Sequence, residues 1–402
     1  MKRHFARSLI AAAALGTPLL AGAADTDLFV GATAASASEV PNVLLLVDNT
    51  ANWNTAFTNE MAALASTLNG LADGKFRVGI MMFTETGGGN SGNDGGYVRA
   101  AVRLMDATNK PKYQTLVNSF DVGDDKSNGG KAALMMAEAY RYFAGGTPYA
   151  GNNKNKTDYS GSTYGTAQSK AVYALGGNAL ASKGATTYNS PVTAGCQKNY
   201  IIYISNGPAQ ENTSDTNTAT SMLSAAGGNT TAIPISPSGS QSSVADEWAR
   251  WMKQSSLGIV TYTLDVDPGT NGQGPGWTAL LKSMASVGGG KYFSVTSGNG
   301  GANISSALGK AFSEIQAVNS VFAAVSLPVS VNTQGTYLNQ VYVGMFRPDP
   351  DSYPRWAGNL KQYKMGKLNG ALKLLDADSA SAINSQTGFV TECARSFWTP
   401  ST

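Results

Sequence analysis

The sequence predicts an α/β fold in which a parallel sheet is covered by helices on both faces. Three observations carry that expectation. The run 43–47, VLLLV, is apolar at every position, as expected of a strand buried on both sides. From about residue 40 to 320, strand-like and helix-like patterns alternate, the signature of βαβ units. Beyond residue 318 the pattern changes to alternating Val, Phe, Tyr and Leu, in runs such as SVFAAVSLPVSV and TYLNQVYVGMF, which read as hairpin strands.

Taken in chain order, residues 1–23 have the layout of a secretory signal peptide. Lys2, Arg3 and Arg7 precede an apolar stretch, and Ala21-Gly22-Ala23 offers the cleavage site. The α/β region, 40–319, is expected to hold strands at 43–47, 76–83, 97–104, 200–205, 258–266 and 291–295. Its helices are expected at 55–71, 112–120, 131–143, 243–254, 277–286 and 304–318. In the first helix Phe57, Met61, Leu64, Leu68 and Leu71 recur at three- and four-residue spacings and form the buried stripe. Two polar insertions, about 145–195 and 207–242, are rich in Gly, Asn, Ser and Thr and read as loops. Residues 320–402 form a β-rich segment, with 355–365 continuing the strand character.

Composition excludes several chemistries. The one histidine, His4, lies in the leader, so the exported chain lacks a Ser-His or Cys-His nucleophile pair and the usual His-bearing zinc site. The formal charge of +3 is accounted for by Lys2, Arg3 and Arg7, leaving no basic footprint for nucleic acid. The apolar core of the leader is too short to span a bilayer as a stable helix, and no later stretch approaches the length of a membrane span. Cys196 and Cys393, the only cysteines, either pair across roughly 200 residues or stay as two thiols. In an exported chain the expectation is a disulfide that ties the β-rich tail to the α/β domain.

The strand 43–47 ends in Asp48, followed by Thr50 and Asn52. Oxygen side chains at every second position suit a hard cation such as Mg2+ or Ca2+, and open α/β sheets place ligands at the carboxyl ends of their strands. The competing reading is an Asx-type turn that caps the next helix. With the six-strand layout, the D-x-T-x-N turn resembles the metal-ion-dependent adhesion site of a von Willebrand factor A domain. In that family D-x-S-x-S is joined by a hydroxyl from a second loop and an Asp from a third. The resemblance implies Ser127, in DDKSNGGKAAL, for the second loop. For the third it implies Asn206, where an amide replaces the family's carboxylate and lowers the charge of the site. Asp121, Asp124 and Asp125 stand nearby as solvated acidic turn residues that could add charge.

The runs CQKNYIIYISNG, KSNGGKAALMMAEAYRYF, FRPDPDSYPRWAGNLKQYK and GFVTECARSFW together resemble the PilY family of type IV pilus tip proteins. In that family a segment such as 320–402 leads to a C-terminal β-propeller, and the sequence stops where the resemblance would have it start. The resemblance implies a non-enzymatic adhesion and pilus-assembly factor, exported to the periplasm and the pilus tip. It also implies a low-affinity divalent cation held by Asp48, Thr50, Asn52, Ser127 and Asn206. Its partners would be minor pilins or other pilus components and a host or abiotic surface ligand. The alternative is a metal-free structural domain that joins pilins to a C-terminal domain.

Overall fold

The computed structural model describes residues 40–402 except 51–53, 85–92, 121, 124, 126, 128, 153, 155, 159–174, 194–196, 206, 270–273, 319–321, 327–338, 348–356, 384–389, 392–393 and 401–402. The expected leader therefore lies outside the described residues, as do Cys196 and Cys393. Among the described residues no helix is long and apolar enough to cross a membrane.

A six-stranded sheet forms from β1 (Asn42–Val47), β2 (Arg77–Phe83), β3 (Gly96–Leu104), β4 (Asn199–Ser205), β5 (Val260–Val266) and β6 (Gly289–Val295), in the order β3-β2-β1-β4-β5-β6. Every residue of β1 is buried, as its apolar run requires. On one face lie α1 (Asn54–Gly70), α2 (Asn109–Asn118) and α7 (Ala302–Val318). Phe57, Leu64, Leu116, Leu308 and Phe312 from these helices meet Val43, Leu45, Ile202 and Leu264 of the sheet. The other face carries α3 (Ala132–Ala144), α4 (Thr213–Ala225), α5 (Ala245–Gln254) and α6 (Gly274–Val287), which bury Met135, Leu223, Trp248 and Leu280 against Leu44, Leu46 and Ile201. The arrangement is von Willebrand factor A-like.

Two expectations need correction. The sheet is not wholly parallel: β3 runs antiparallel to β2. A parallel return needs a crossover that carries the chain back along the sheet, whereas antiparallel neighbours can be joined by a direct link. The stretch 207–242 is also not a loop throughout, because it contains α4. Asn212 caps that helix by accepting from the N–H of Asp215 at 3.0 Å, while the Asp215 carboxylate accepts from the N–H of Asn212 at 2.9 Å. This is a capping box. Only Ala219 and Leu223 of α4 are buried, so its apolar period is too sparse to stand out in the sequence.

The insertion at 145–195 buries more than its composition implies. Leu180 and Tyr188 join the apolar core, and polar groups add further anchors. Glu138 of α3 accepts from the N–H groups of Tyr149, Ala150 and Gly151 and from the Tyr188 hydroxyl, the last at 2.6 Å. Asp158 reaches β3, accepting from the N–H of Ala101 at 2.6 Å and pairing with Arg103 at 3.0 Å. An edge strand left bare is a site for unwanted pairing, and this insertion ties down the edge at β3.

The tail forms a separate four-stranded antiparallel sheet in the order β10-β9-β8-β7, from β7 (Phe322–Ser326), β8 (Gln340–Arg347), β9 (Ala357–Leu368) and β10 (Ala371–Leu375). Val341, Val343, Tyr363 and Leu374 make its own small core, together with Ala382, Val390 and Ala394.

Candidate metal centre

In a sheet of this strand order the chain leaves β1 and β4 in opposite directions, and the crevice between their carboxyl ends is where open α/β sheets take ligands. Asp48 follows β1 directly and is buried, with 3% of its surface exposed. Its Oδ1 accepts from the N–H of Thr50 at 3.0 Å, the turn bond that an Asp makes to the backbone two residues on. Its Oδ2 accepts from the Ser205 hydroxyl at 3.1 Å, so the ends of β1 and β4 are joined across the crevice.

Ser127 arrives from the loop ahead of α3. It forms a β-bridge with Thr50, and its N–H donates to the carbonyl of Asn49 at 2.7 Å. The structure thereby brings Asp48, Thr50 and Ser127 together although they come from separate parts of the chain. The Thr50 side chain stands between two glycines. A Cβ on Gly130 would come within 3.1 Å of Thr50 Cγ2, and one on Gly207 within 3.9 Å of Thr50 Oγ1. Asn52 and Asn206 lie outside the described residues, as do Asp121 and Asp124.

Several residues that hold these loops were not singled out in the sequence. Asn49 is buried and joins three segments. Its Nδ2 donates to the carbonyls of Phe83 at 3.0 Å and Asp125 at 2.6 Å, and its Oδ1 accepts from the N–H of Phe83 at 2.9 Å. Ser127 Oγ donates to the carbonyl of Thr84 at 2.7 Å, which fixes the loop to the end of β2. Trp277 Nε1 of α6 donates to Ser205 Oγ at 3.1 Å. Asp125 is not a solvated turn residue: it is buried in an ion pair with Lys156 at 2.6 Å, so its charge is already matched. None of these roles has a pattern in sequence, because each depends on which loops the sheet order makes neighbours.

Glu60 was also passed over, although it falls three residues after Phe57 and four before Leu64, on the apolar stripe of α1. It is 0% exposed, and neither of its oxygens has a hydrogen-bond partner among the described residues. Burial, and then the neighbouring charge of Asp48, push its carboxyl well above the ordinary carboxylate range. On β4 the Tyr203 hydroxyl is likewise buried with no partner among the described residues, and burial followed by the charges of Asp48 and Glu211 raises it.

A hard divalent cation takes oxygen ligands, and the assembled donors are all oxygens: one carboxylate and two hydroxyls. The donor chemistry fits such an ion at low charge. Among the described residues no group of three or more His, Cys, Asp or Glu side chains lies together, so a tight, high-charge cage is absent there.

No protein-family model matches the chain, and no curated protein matches it. Among solved structures it is similar to a variant of the PilB minor pilin from Streptococcus sanguinis, with 10% identity, TM-score 0.35, and coverage of 69% of this chain and 60% of that one. It is also similar to the pilus adhesin SpaC from Lactobacillus rhamnosus GG, with 10% identity, TM-score 0.36, and coverage of 83% and 43%. A third is the manganese-loaded TRAP protein from Plasmodium vivax, with 11% identity, TM-score 0.30, and coverage of 82% and 96%. The chain thus spans less than two thirds of the two pilus proteins. At these scores the likenesses do not bear on function, and the von Willebrand factor A-like layout rests on the strand order itself.

Proposed function

We propose that this protein is a non-enzymatic adhesion and assembly factor at the tip of type IV pili, exported to the periplasm and the cell surface, whose crevice holds a divalent cation in the manner of a metal-ion-dependent adhesion site. The observation that carries the reading is the convergence of Asp48, Thr50 and Ser127 at the sheet's switch point, with a bridge between the two loops. Asp48 would supply the charge, Thr50 and Ser127 hydroxyl oxygens, and Asn52 and Asn206 amide oxygens. An ion held by so few charges keeps coordination places for water or for a carboxylate from a partner. Minor pilins, other pilus components or a surface ligand would offer that carboxylate, and adhesion would then depend on divalent ions.

One observation favours a second reading, a metal-free domain that joins pilins to a further domain. Both oxygens of Asp48 already accept protein hydrogen bonds, and the Ser127 hydroxyl donates to Thr84, so the turn is satisfied without an ion. Calorimetric titration of Mg2+ and Ca2+ into the mature protein separates the two readings. The cation reading expects binding in the ~10⁻⁴–10⁻³ M range of low-charge extracellular sites, abolished by Asp48→Ala and strengthened by Asn206→Asp. Negligible heats for all three proteins would leave the structural domain as the function.

A further inference from the structure

The two edges of the six-stranded sheet are finished differently. At β3 every residue from Gly96 to Arg103 is buried, beside the insertion that Asp158 fastens there. At β6, the other edge, every residue from Gly289 to Ser294 is exposed or half-exposed, and only Val295 is buried. Register decides which backbone groups are left over. The Thr261 N–H donates to the carbonyl of Gly288 at 3.2 Å and the Asp267 N–H to that of Val295 at 2.8 Å, with Thr263 opposite Tyr292 and Asp265 opposite Ser294 between them. Successive residues of a strand turn their backbone groups alternately toward and away from one neighbour. Phe293 and Val295 therefore face β5, while the N–H and C=O groups of Tyr292 and Ser294 point outward from the sheet. Among the described residues no strand pairs with them. Three lysines border this edge. Lys282 of α6 holds its Nζ 5.2 Å from the centre of the Tyr292 ring. Lys253 of α5 runs past the start of β6, where a Cβ on Gly289 would meet its Cε at 3.0 Å. Lys291, on the strand itself, pairs with Glu314 at 2.9 Å. Asp265 is buried and bonded to the hydroxyls of Thr278 and Tyr292, and among the described residues Lys253 and Lys282 make no ion pair. The border of the edge is positive. Lysines there repel a second copy of the same edge, and the same charge attracts an acidic strand.

We propose that the outer edge of β6 is a docking site for an extended acidic segment of a partner protein, which joins the sheet as a further strand. The outward N–H and C=O groups of Tyr292 and Ser294 align the segment by main-chain hydrogen bonds. Its side chains alternate between the two faces. On the α5–α6 side its acidic residues lie beside Lys253 and Lys282. On the other side its apolar or β-branched residues lie beside Phe293, which is only partly buried against the core. No residue of the crevice takes part, so the docking edge stands apart from the cation reading.

The test adds a fluorescein-labelled peptide of about ten residues, glutamate alternating with valine or threonine, to the mature full-length chain without divalent ions. One control peptide carries lysine in place of glutamate. A second keeps the glutamates but has proline at the alternate positions, which removes N–H groups that a ladder needs. Fluorescence anisotropy should show the acidic peptide binding at least about tenfold more tightly than either control, and more weakly as added salt screens the lysines. Hydrogen exchange should show the amides of Tyr292 and Ser294, open in the free protein, becoming protected in the complex. Ser294→Pro removes an outward N–H and spares the inner ladder, because proline is tolerated where an edge strand faces solvent. It should unfold like wild type and lose the peptide. Lys253→Glu combined with Lys282→Glu should reverse the preference, toward the lysine peptide. If Ser294→Pro fails to fold, amide exchange in the wild type decides. Binding that leaves the Tyr292 and Ser294 amides unchanged, or equal binding of the acidic and proline peptides, would reduce the edge to a patch of charge and overturn the proposal. Absence of binding would overturn it too. So would a dimer in sedimentation that protects the same two amides, since the occupant would then be a second copy.

Discussion

Asn49 shows how much of this crevice depends on a side chain that is not itself a ligand. Replacing it by Ala strands the N–H of Phe83 and the carbonyls of Phe83 and Asp125 in a buried place, and an unsatisfied buried polar group costs about 1–3 kcal/mol. We expect Asn49→Ala to lower the unfolding free energy by roughly 2–4 kcal/mol, read from urea titration as a shifted midpoint with unchanged slope. An effect below about 0.5 kcal/mol, the level of an ordinary surface change, would mean that the three loops are held by something else. Asp48 and Thr50 were legible because oxygen side chains at alternate positions after an apolar strand have a chemical purpose that local sequence displays, whereas Ser127 was reached only through the resemblance to a von Willebrand factor A domain. Asn49, lying between two of them, was not legible. Its partners at Phe83 and Asp125 become neighbours only through the sheet order. Glu60 lies between these cases, since an acid on an apolar helical stripe is an irregularity visible in the sequence, while its complete burial is not.

The expected strands and helices of the α/β region were legible to within about three residues at each end, because each carries enough apolar side chains to show its period. The antiparallel β3 and the helix α4 were not. Strand direction is decided by the path of a link, and α4 buries too little to print a stripe. The insertion 145–195 misled for another reason: it is fastened by charge. Asp158 serves both the Ala101 N–H and the Arg103 guanidinium, which is also bonded to Gly176, Tyr113 and Asn178. Removing one partner of a buried pair strands the other, at about 3–5 kcal/mol. Asp158→Ala should therefore destabilise by about that amount and make β3 the first protected region to exchange its amide hydrogens. Unaltered exchange at Ala101 and Arg103 would contradict the fastening role. A pH effect belongs to α5. Its Glu247 is raised from the usual 4.5 to about 8, first by burial and then by the adjacent Asp246, while its Oε1 accepts from the N–H of Ile233 at 2.7 Å. The folded chain keeps a proton that the unfolded chain releases, so stability is fully present below the unfolded value and is lost as pH rises through the folded one. Urea unfolding at pH 5 and pH 8.5 should give lower stability at the higher pH. Glu247→Gln, which retains the acceptor for Ile233, should flatten much of that slope; an unchanged slope would show that other buried carboxyls, such as Glu138 and Glu60, account for it.

Three apolar clusters occur among the described residues, and their separation bears on how the molecule folds. Two lie on the opposite faces of the six-stranded sheet and are joined through it. The third is confined to β8–β10 and the segment that follows them. All of the candidate metal centre that the structure describes, Asp48, Thr50 and Ser127, belongs to the six-stranded unit. Among the described residues the β-rich tail contributes no side chain to those two larger clusters, and its own core there contains seven buried apolar residues: Val341, Val343, Tyr363, Leu374, Ala382, Val390 and Ala394. A cluster of that size gives only marginal stability to an isolated sheet, whereas the α/β unit has a core typical of a domain that folds alone. A mature chain ended after Val318 should accordingly fold, unfold in one cooperative transition, and bind Mg2+ or Ca2+ with the affinity of the longer chain, whatever that affinity proves to be. Circular dichroism, thermal unfolding and the same calorimetric titration measure the three properties. Loss of the cooperative transition on truncation would show that residues beyond Val318 complete the α/β core. A retained transition with altered ion affinity would show instead that the tail reaches the crevice, and the site would then have to be drawn with a fourth segment.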